Sequence, residues 1–333
     1  MNSSNRKHLV VLLLLLVCTG RTDAFFRTFK DWFDKLTLST PITPSNEECN
    51  EDWNSFDGKG LKADLKRRLF GQHIAAEVIM EAVNALMNND NPKKPMVLSL
   101  HGISGTGKNL ACELIVKNIY KEGMDSRFVH FFNAAIHFPH ISQVETYKSQ
   151  LQHWIRGNVT NCARSMFIFD EMDKMHAGVI DGINPFLDYQ NKLDGVSYSN
   201  AIYIFLSNNG STFITQTTLD SLKAGKEREK IKLKDMETTL SLSCPLFIYR
   251  GVSNVVDFFI PFLPLERRHI VQCIMVEMKA MGRKPEHEMA CELADEIVNY
   301  FPTDEKFFSV TGCKRIASRL RFYIKQVVGS DVV

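Results

Sequence analysis

The stretch MVLSLHGISGTGKN at residues 96–109 decides the fold of this chain, and it runs on into LACELIVKNIY at 110–120. It predicts a buried strand, a glycine-rich turn and a helix, in the order of a phosphate-binding loop. Glycines let the main chain turn closely around an anion, and the N-terminal end of the following helix attracts negative charge. Lys108 adds a positive charge for the outer phosphates of a nucleotide.

The loop fits the pattern G-x-x-x-x-G-K, but Asn109 stands where a Ser or Thr hydroxyl usually contacts Mg²⁺. An ordinary strand-to-helix turn is the alternative for this loop taken alone. The candidate nucleotide-binding residues of the loop are Gly102, Ile103, Ser104, Gly105, Thr106, Gly107, Lys108 and Asn109.

A second motif, MFIFDE at 166–171, consists of four apolar residues followed by two carboxylates. Such a continuous apolar run is typical of a central parallel strand, and ligands bind at the carboxyl edge of parallel sheets. Asp170 is the candidate metal residue, holding Mg²⁺ through water, and Glu171 the candidate catalytic residue facing the attacking water. Alone, the motif could be a strand with an acidic turn. Its position after the loop favours the functional interpretation.

Another apolar run, at 201–207, ends in Asn208, whose amide could orient the attacking water beside Glu171. A turn asparagine is the alternative. Further strands are predicted at 127–133 and 255–260, with helical patterns between strands. The fold class is therefore α/β, an open parallel five-stranded P-loop sheet flanked by helices.

Past Glu266 the pattern predicts helices alone, at 267–280, 289–300 and 312–328. This gives a nucleotide-binding domain at 61–265 and a small helical lid at 266–333. Between them, the charge-rich stretch 222–237 predicts a solvated helical face.

The chain begins with a basic group at 6–8 and an apolar run at 9–18, which predict a signal peptide at 1–24 and a luminal or secreted protein. An uncleaved anchor and a buried helix are the alternatives. Residues 25–36, at the start of a linker segment reaching 60, place Phe25, Phe29, Trp32, Phe33 and Leu36 at helical spacing. They predict a helix on a membrane surface or one docked on the protein body.

Composition adds an exclusion. The 333 residues include 40 basic and 38 acidic residues, intermixed along the chain, so no charge field favours a nucleic acid partner.

Seven cysteines remain after the signal segment, so at least one thiol must be free, and their wide spacing excludes a C-x-x-C zinc site. Each could also be a small buried hydrophobic residue. These cysteines are Cys49, Cys112, Cys162, Cys244, Cys273, Cys291 and Cys313. The sequon at Asn158 predicts a glycosylation site, whereas the sequon at Asn209 falls at the predicted active site and is expected to be unused.

With these motifs, nearly everything after residue 45 resembles an AAA+ ATPase of the Clp/HSP100-like branch, within it the torsin family, nearest its torsin-1 group. The resemblance lies in GTGKN at 105–109, HFPH at 137–140, WIRGNV at 154–159, FDEMDKMHAG at 169–178, FLSN at 205–208, PFLPLE at 261–266 and GCK at 312–314.

The resemblance implies that the loop around Lys108 binds ATP with Mg²⁺, that Asp170 and Glu171 are the metal and hydrolytic carboxylates, and that Asn208 is the polar sensor. It also implies that Lys314 reaches the nucleotide from the lid and that Asn109 is a family trait. A redox-sensitive disulfide between Cys273 and Cys313 and a structural one between Cys49 and Cys162 follow from the same resemblance.

Related protein-unfolding ATPases carry an arginine that completes a neighbour's active site, and Val255 stands at that position here. The resemblance implies slow hydrolysis by the chain alone and activation by the luminal domains of type II membrane proteins, which supply the arginine. Arg250 could act instead. The expected function is ATP-driven, chaperone-like remodelling of protein or membrane assemblies in the endoplasmic reticulum lumen and nuclear envelope, with homo-oligomers and peripheral membrane contact as further expectations. An ATP-dependent binding switch and a P-loop phosphotransferase are the alternatives, the second disfavoured because no acceptor site is evident.

Overall fold

The computed structural model describes residues 47–189, 192–242 and 254–330. The predicted signal segment, the helix at 25–36, Cys244 and Arg250 lie outside these residues. In the part of the chain that is described, no helix is long and apolar enough to cross a membrane.

Five parallel strands form the central sheet, in the order β2-β3-β4-β1-β5. The strands are β1 Met96–His101, β2 Val129–Asn133, β3 Met166–Asp170, β4 Ile202–Ser207 and β5 Phe258–Pro261. Every residue of β1 and β4 is buried, because both strands lie inside the sheet with helices on its faces. The predicted α/β fold with an open five-stranded parallel sheet is confirmed.

Eight helices precede the lid among the described residues. They are α1 Gly58–Arg68, α2 His73–Met87, α3 Lys108–Lys117, α4 Ala134–His137, α5 Val144–Asn161, α6 Ala177–Ile183, α7 Ser211–Lys223 and α8 Glu237–Leu242. The lid contains α9 Arg267–Ala280, α10 His287–Ile297 and α11 Ile316–Ser330. One apolar cluster, which includes Leu265, Ile274 and Leu293, joins the lid helices to one another.

The sequence predicted a lid made of helices alone, and this is wrong. Two short antiparallel strands, β6 Tyr300–Phe301 and β7 Phe308–Ser309, form a hairpin between α10 and α11. Strands of two residues are too short to produce an alternating pattern, which explains the error. The hairpin is joined to the segment between β5 and α9, since Ser309 N donates to Leu265 O at 2.8 Å. The described residues from Glu48 onward form one compact unit, and the domain boundary at 265/266 stays a prediction.

The prediction of a solvated helical face at 222–237 is wrong about the helix and about one of the charged side chains. Helix α7 ends at Lys223, and the stretch continues as two single 3-10 turns, Arg228–Lys230 and Leu233–Asp235. Most of its charged side chains are exposed, but Arg228 is only 1% exposed. A charged side chain is buried only where partners satisfy it, and those partners come from distant parts of the chain.

Candidate nucleotide-binding site

The P-loop, residues 102–109, connects β1 to α3 at the carboxyl edge of the sheet. Gly107 directly precedes α3 and has a φ of 108°, a conformation that favours glycine. Gly102 must also be glycine, because a Cβ there would lie 2.5 Å from Phe262 O. The Thr106 hydroxyl donates to Ile103 O at 2.8 Å and stabilises the turn. The sequence pattern therefore folds into the compact loop that phosphate binding requires.

Lys108 is held inside this loop and is 7% exposed. Its Nζ donates to Gly102 O at 2.5 Å, Ile103 O at 3.2 Å and Asn208 Oδ1 at 3.2 Å. Burial lowers the pKa of Lys108 to about 8, and the nearby carboxylates of Asp170 and Asp173 partly oppose that shift. The ammonium is thus positioned where phosphate oxygens could replace its carbonyl partners.

The two predicted carboxylates lie at the end of β3. Asp170 Oδ2 accepts from Asn109 Nδ2 at 3.1 Å, so the residue that replaces the usual hydroxyl contacts the predicted metal residue directly. Asp170 Oδ1 accepts from Glu171 N at 2.8 Å. Glu171 has a φ of 56°, a strained conformation for a non-glycine residue that recurs at functional sites. Its Oε2 forms an ion pair with Lys174 Nζ at 2.9 Å.

Asn208 follows β4 and contacts both Lys108 and Asp173. Its Oδ1 accepts from Lys108, and its N donates to Asp173 Oδ1 at 3.0 Å. Sequence reasoning missed Asp173, which lies in the single 3-10 turn Met172–Lys174 just after β3. The signal was available, because a third carboxylate follows the strand two residues after Glu171.

The lid reaches the P-loop through the turn at 311–314. Cys313 N donates to Gly105 O at 3.0 Å, and a Cβ on Gly105 would collide with Thr311 O. The charge of Lys314 is close enough to oppose protonation of Lys108. A disulfide between Cys273 and Cys313 fixes this turn to α9. Lys314, the lid residue predicted to sense nucleotide, therefore lies near Lys108 of the P-loop.

Gln72 also contacts the P-loop, and sequence reasoning missed it. The side chain is buried between α1 and α2, where Nε2 donates to Thr106 O at 3.1 Å and to Leu263 O at 2.8 Å. Its Oε1 accepts from Leu263 N at 2.8 Å. The only signal was the interruption FGQH at 70–73 between two helical patterns, which does not identify a contact.

A cavity of about 750 Å³ opens beside this turn, between the α1–α2 helices and the first turns of lid helix α9. Its wall includes Leu69, Gly71, Gln72 and His269. Leu69 packs against the P-loop at Gly107, where an added Cβ would lie 2.8 Å from Leu69 Cδ1. Leu69 therefore lies between the cavity and the P-loop.

The remaining candidate residues lie away from this edge. Cys49 and Cys162 form a disulfide at the end of α5, so both bridges implied by the resemblance are present. Cys112 and Cys291 are free thiols. Asn158 lies on α5 with its Nδ2 donating to Trp154 O at 2.8 Å, and its glycosylation stays a prediction.

The described residues contain no group of three or more His, Cys, Asp or Glu side chains that could hold a metal ion alone. The donor set at this edge is a carboxylate, Asp170, with the Asn109 amide in contact with it. That set fits Mg²⁺, which binds through one or two carboxylates together with substrate phosphates and water. The residues present therefore suit a metal that arrives with a nucleotide.

Comparison with known proteins identifies the family. A model described as Torsin matches residues 45–169, and one described as Torsin-1A, C-terminal domain matches residues 265–323, together more than half of the chain.

Two solved structures share the fold. The S. cerevisiae Hsp104-ADP complex is 18% identical with a TM-score of 0.55, over 82% of this chain and 48% of that chain. A closed-state reconstruction of Hsp104 with ATPyS and FITC casein is 17% identical with a TM-score of 0.52, over 83% and 48%. This chain thus spans about half the length of the Hsp104 chains that it matches. With an α/β AAA+ fold and both torsin models matched, the chain belongs to the torsin family.

Proposed function

We propose that this chain binds ATP with Mg²⁺ and hydrolyses it. One observation carries the proposal: Lys108, Asp170, Glu171 and Asn208 follow from three adjacent strands and come together at one edge of the sheet. Parallel α/β sheets bind ligands at this edge. The fold of an AAA+ protein and the membership of the torsin family support the same conclusion.

The P-loop binds the phosphates. Its main-chain N–H groups and the start of α3 attract the anion, and Lys108 exchanges its carbonyl acceptors for phosphate oxygens. Asp170, through water, and Asn109 would hold the metal. Bound Mg²⁺ supplies charge that stabilises the transferring phosphoryl group. The cavity beside Leu69 and His269 receives the adenosine part of the nucleotide, since Leu69 packs against the P-loop and His269 belongs to the lid.

Glu171 and Asn208 act on the attacking water. Asn208 orients the water by hydrogen bonding, and a Glu171 carboxylate oxygen accepts its proton. In the described arrangement Glu171 is bonded to Lys174, so the proton acceptor must leave that ion pair or share it during hydrolysis. The pair is half-exposed, and solvent-exposed ion pairs of this kind are weak.

The chain supplies no arginine of its own at the expected position among the residues that the structure describes. Val255 is 7% exposed, and its main-chain O accepts from Lys94 Nζ at 2.7 Å within the same chain. A missing arginine finger reduces turnover by roughly a thousandfold or more. The chain therefore hydrolyses slowly alone, and the luminal domain of a type II membrane protein completes the site in trans.

The cellular role follows from the family and the N-terminal sequence. An apolar segment typical of a signal peptide favours the endoplasmic reticulum lumen and the contiguous nuclear envelope. There the ATPase cycle remodels protein or membrane assemblies. The chain is held near the membrane by its partners or by residues 25–36. Homo-oligomers are part of this proposal.

A second function, an ATP-dependent binding switch, is favoured by one observation, the ion pair between Glu171 and Lys174. If that pair persists when nucleotide is bound, ATP fixes a conformation that binds a partner, and hydrolysis is incidental.

Steady-state phosphate release, with and without the luminal domain of a torsin activator, tests both functions. The activator should raise the rate strongly, and Glu171→Gln should remove at least about a hundredfold of the stimulated rate by removing the proton acceptor. Glu122→Gln, an exposed carboxamide substitution away from the site, is the matched control and should match the unmodified chain.

Each other outcome is informative. Activator binding in ATP without phosphate release would support the switch. Rapid release by the chain alone would refute the need for an arginine in trans and would point to Arg250. Equal rates for Glu171→Gln and the control would refute the assigned proton acceptor.

A further inference from the structure

Among the described residues of the charge-rich stretch 222–237, Arg228 is the one charged side chain that is buried. Nε and Nη2 donate to Gly71 O at 3.0 and 2.7 Å, and Nη1 donates to Pro264 O at 2.7 Å. Nη1 also contacts Glu266 Oε1 at 3.2 Å. Burying a charge is costly unless it is paired and hydrogen-bonded, and Arg228 is both.

The acceptors of Arg228 belong to two separate elements. Gly71 lies in the turn between α1 and α2, whereas Pro264 and Glu266 lie between β5 and lid helix α9. The same turn is held to the Arg228 segment a second time, because His73 Nε2 contacts Ile231 O at 2.8 Å. Arg228 therefore connects the turn before the P-loop to the segment on which the lid begins.

From Gly71 the connection continues to the P-loop through the next residue. Gln72 is 2% exposed and is hydrogen-bonded to both Thr106 O and the Leu263 main chain. A displacement of the turn would thus move or break a contact with the loop that binds phosphate. No side chain of this turn contacts Lys108 or Asp170 in the hydrogen bonds of the described residues, so an effect on the nucleotide would be indirect.

The lid side is equally constrained. Glu266, the residue before α9, pairs through Oε2 with Arg268 Nε at 3.0 Å, and its N donates to His269 Nδ1 at 3.1 Å. The His269 ring lies against Gly71, where an added Cβ would be 2.8 Å from it. The first turn of the lid helix therefore packs directly on the turn that Arg228 holds.

We propose that Arg228 and Gln72 form a buried latch that fixes the start of the lid relative to the P-loop, and that Arg228 is a positioning residue for nucleotide binding. The proposal rests on the proposed nucleotide site. Since the nucleotide contacts both the P-loop and the lid, its affinity depends on the relation between them. Arg228, which does not line the cavity, sets that relation without touching the ligand.

The chemistry requires arginine. The planar guanidinium donates along several directions at once and so reaches acceptors on both elements, whereas an ammonium is a point charge on a flexible stem. Arg228→Lys keeps the charge but cannot keep all of these hydrogen bonds. Arg228→Met removes the charge and every hydrogen bond of the guanidinium while keeping an unbranched, though shorter, side chain.

A matched control is available in α1. Asp64 is also a buried charged group, and its Oδ2 accepts from Lys117 Nζ at 3.0 Å and Asn118 Nδ2 at 3.2 Å. These partners lie at the end of α3, and none belongs to the lid. Asp64→Asn should therefore destabilise the fold without changing how the lid meets the P-loop.

The test measures the affinity of the full chain for a fluorescent ATP analogue, and its Tm without nucleotide. Arg228→Met should weaken nucleotide binding roughly tenfold, Arg228→Lys by less, and Asp64→Asn by less than about twofold. With the activator present, both Arg228 variants should raise KM for ATP while kcat at saturating ATP stays within about twofold, since no reacting atom is touched.

A double-mutant cycle locates the path. If Arg228 acts through Gln72, then Arg228→Lys combined with Gln72→Met should weaken binding less than the product of the two single effects. Should Arg228→Met not fold, Arg228→Lys and Glu266→Gln carry the same test. A lower Tm with unchanged nucleotide affinity in the Arg228 variants would overturn the latch. Failure of the unmodified chain to bind nucleotide would instead overturn the proposed function.

Discussion

The candidate nucleotide site has two sides that are built in different ways. On the sheet side, Lys108, Asp170 and Asn208 lie at or beyond the carboxyl ends of buried parallel strands. Lys108 donates to Asn208, and the neighbouring Asn109 donates to Asp170. On the lid side, the turn at 311–314 is held by one disulfide to α9 and by a main-chain hydrogen bond from Cys313 to Gly105. The sheet side supplies the chemical groups in a fixed register. The lid side supplies a position that depends on contacts far apart in the chain.

This difference separates chemistry from regulation. Parallel pairing fixes the strand ends to one another, so a change there alters the reacting groups themselves. The lid contacts can change while the strand edge stays intact, because they involve a separate apolar cluster. Substitutions on the sheet side should therefore have larger effects than those on the lid side.

The largest difference is expected between two lysines. Lys108→Ala removes a buried ammonium that donates to the loop and to Asn208. ATP binding should weaken by at least about a hundredfold, the effect expected from losing two hydrogen bonds made by a charged group. Lys314→Ala, in the lid turn, should weaken binding by about tenfold or less. Isothermal titration of each variant against ATP measures both. Equal losses would show that the two sides contribute alike.

An intermediate effect is expected from the two disulfides. Cys273→Ser releases the turn that contacts Gly105, and ATP affinity should fall several-fold, within the usual range of coupling between sites. Cys49→Ser is the matched control, because its bridge lies at the end of α5. Loss of either bridge should lower the free energy of unfolding by about 3–5 kcal/mol, so both variants should have a lower Tm.

The reduced protein extends this pair of variants. Nucleotide affinity of the unmodified chain should fall on reduction, and that of Cys273→Ser should not change further. Affinity that does not depend on reduction in either protein would refute coupling between the lid bridge and nucleotide binding.

The smallest effect is expected at Lys174. Its ion pair with Glu171 is half-exposed, with side-chain exposures of 53% and 31%. Lys174→Met should raise activator-stimulated phosphate release by about twofold to fivefold, because removing this weak, exposed ion pair frees the Glu171 carboxylate. Lys226→Met, which removes the ion pair with Asp235 outside the site, is the control. A lower rate would mean that Lys174 orients Glu171 for catalysis.

Most of the sheet side could be predicted from the sequence. Apolar runs such as 166–169 and 202–206 identify strands buried on both faces, and the first two residues after each run must lie at the carboxyl edge. The glycines of the P-loop mark a turn that other residues cannot form. Glu171 and Asn208 were found for this reason, and the resemblance to torsins added Lys314 and the pairing of four cysteines.

The errors came from contacts between distant residues. Arg228 lies among exposed charges in sequence, and only Gly71, Pro264 and Glu266 explain its burial. Gln72 is an ordinary polar residue until Thr106 and Leu263 are placed beside it. The β6–β7 hairpin has too few residues to leave a pattern. Local sequence carries no record of such partners.

The sequence by itself determined the five apolar strands of the sheet, the P-loop and the polar residues that follow its central strands, because these depend on periodicity and on backbone conformations that few residues adopt. The tertiary structure alone decided which side chains join the lid to that edge. Arg228, Gln72 and the turn at 311–314 acquire their roles from acceptors brought together by folding, since burial of a polar group is stable only where its partners are already in place.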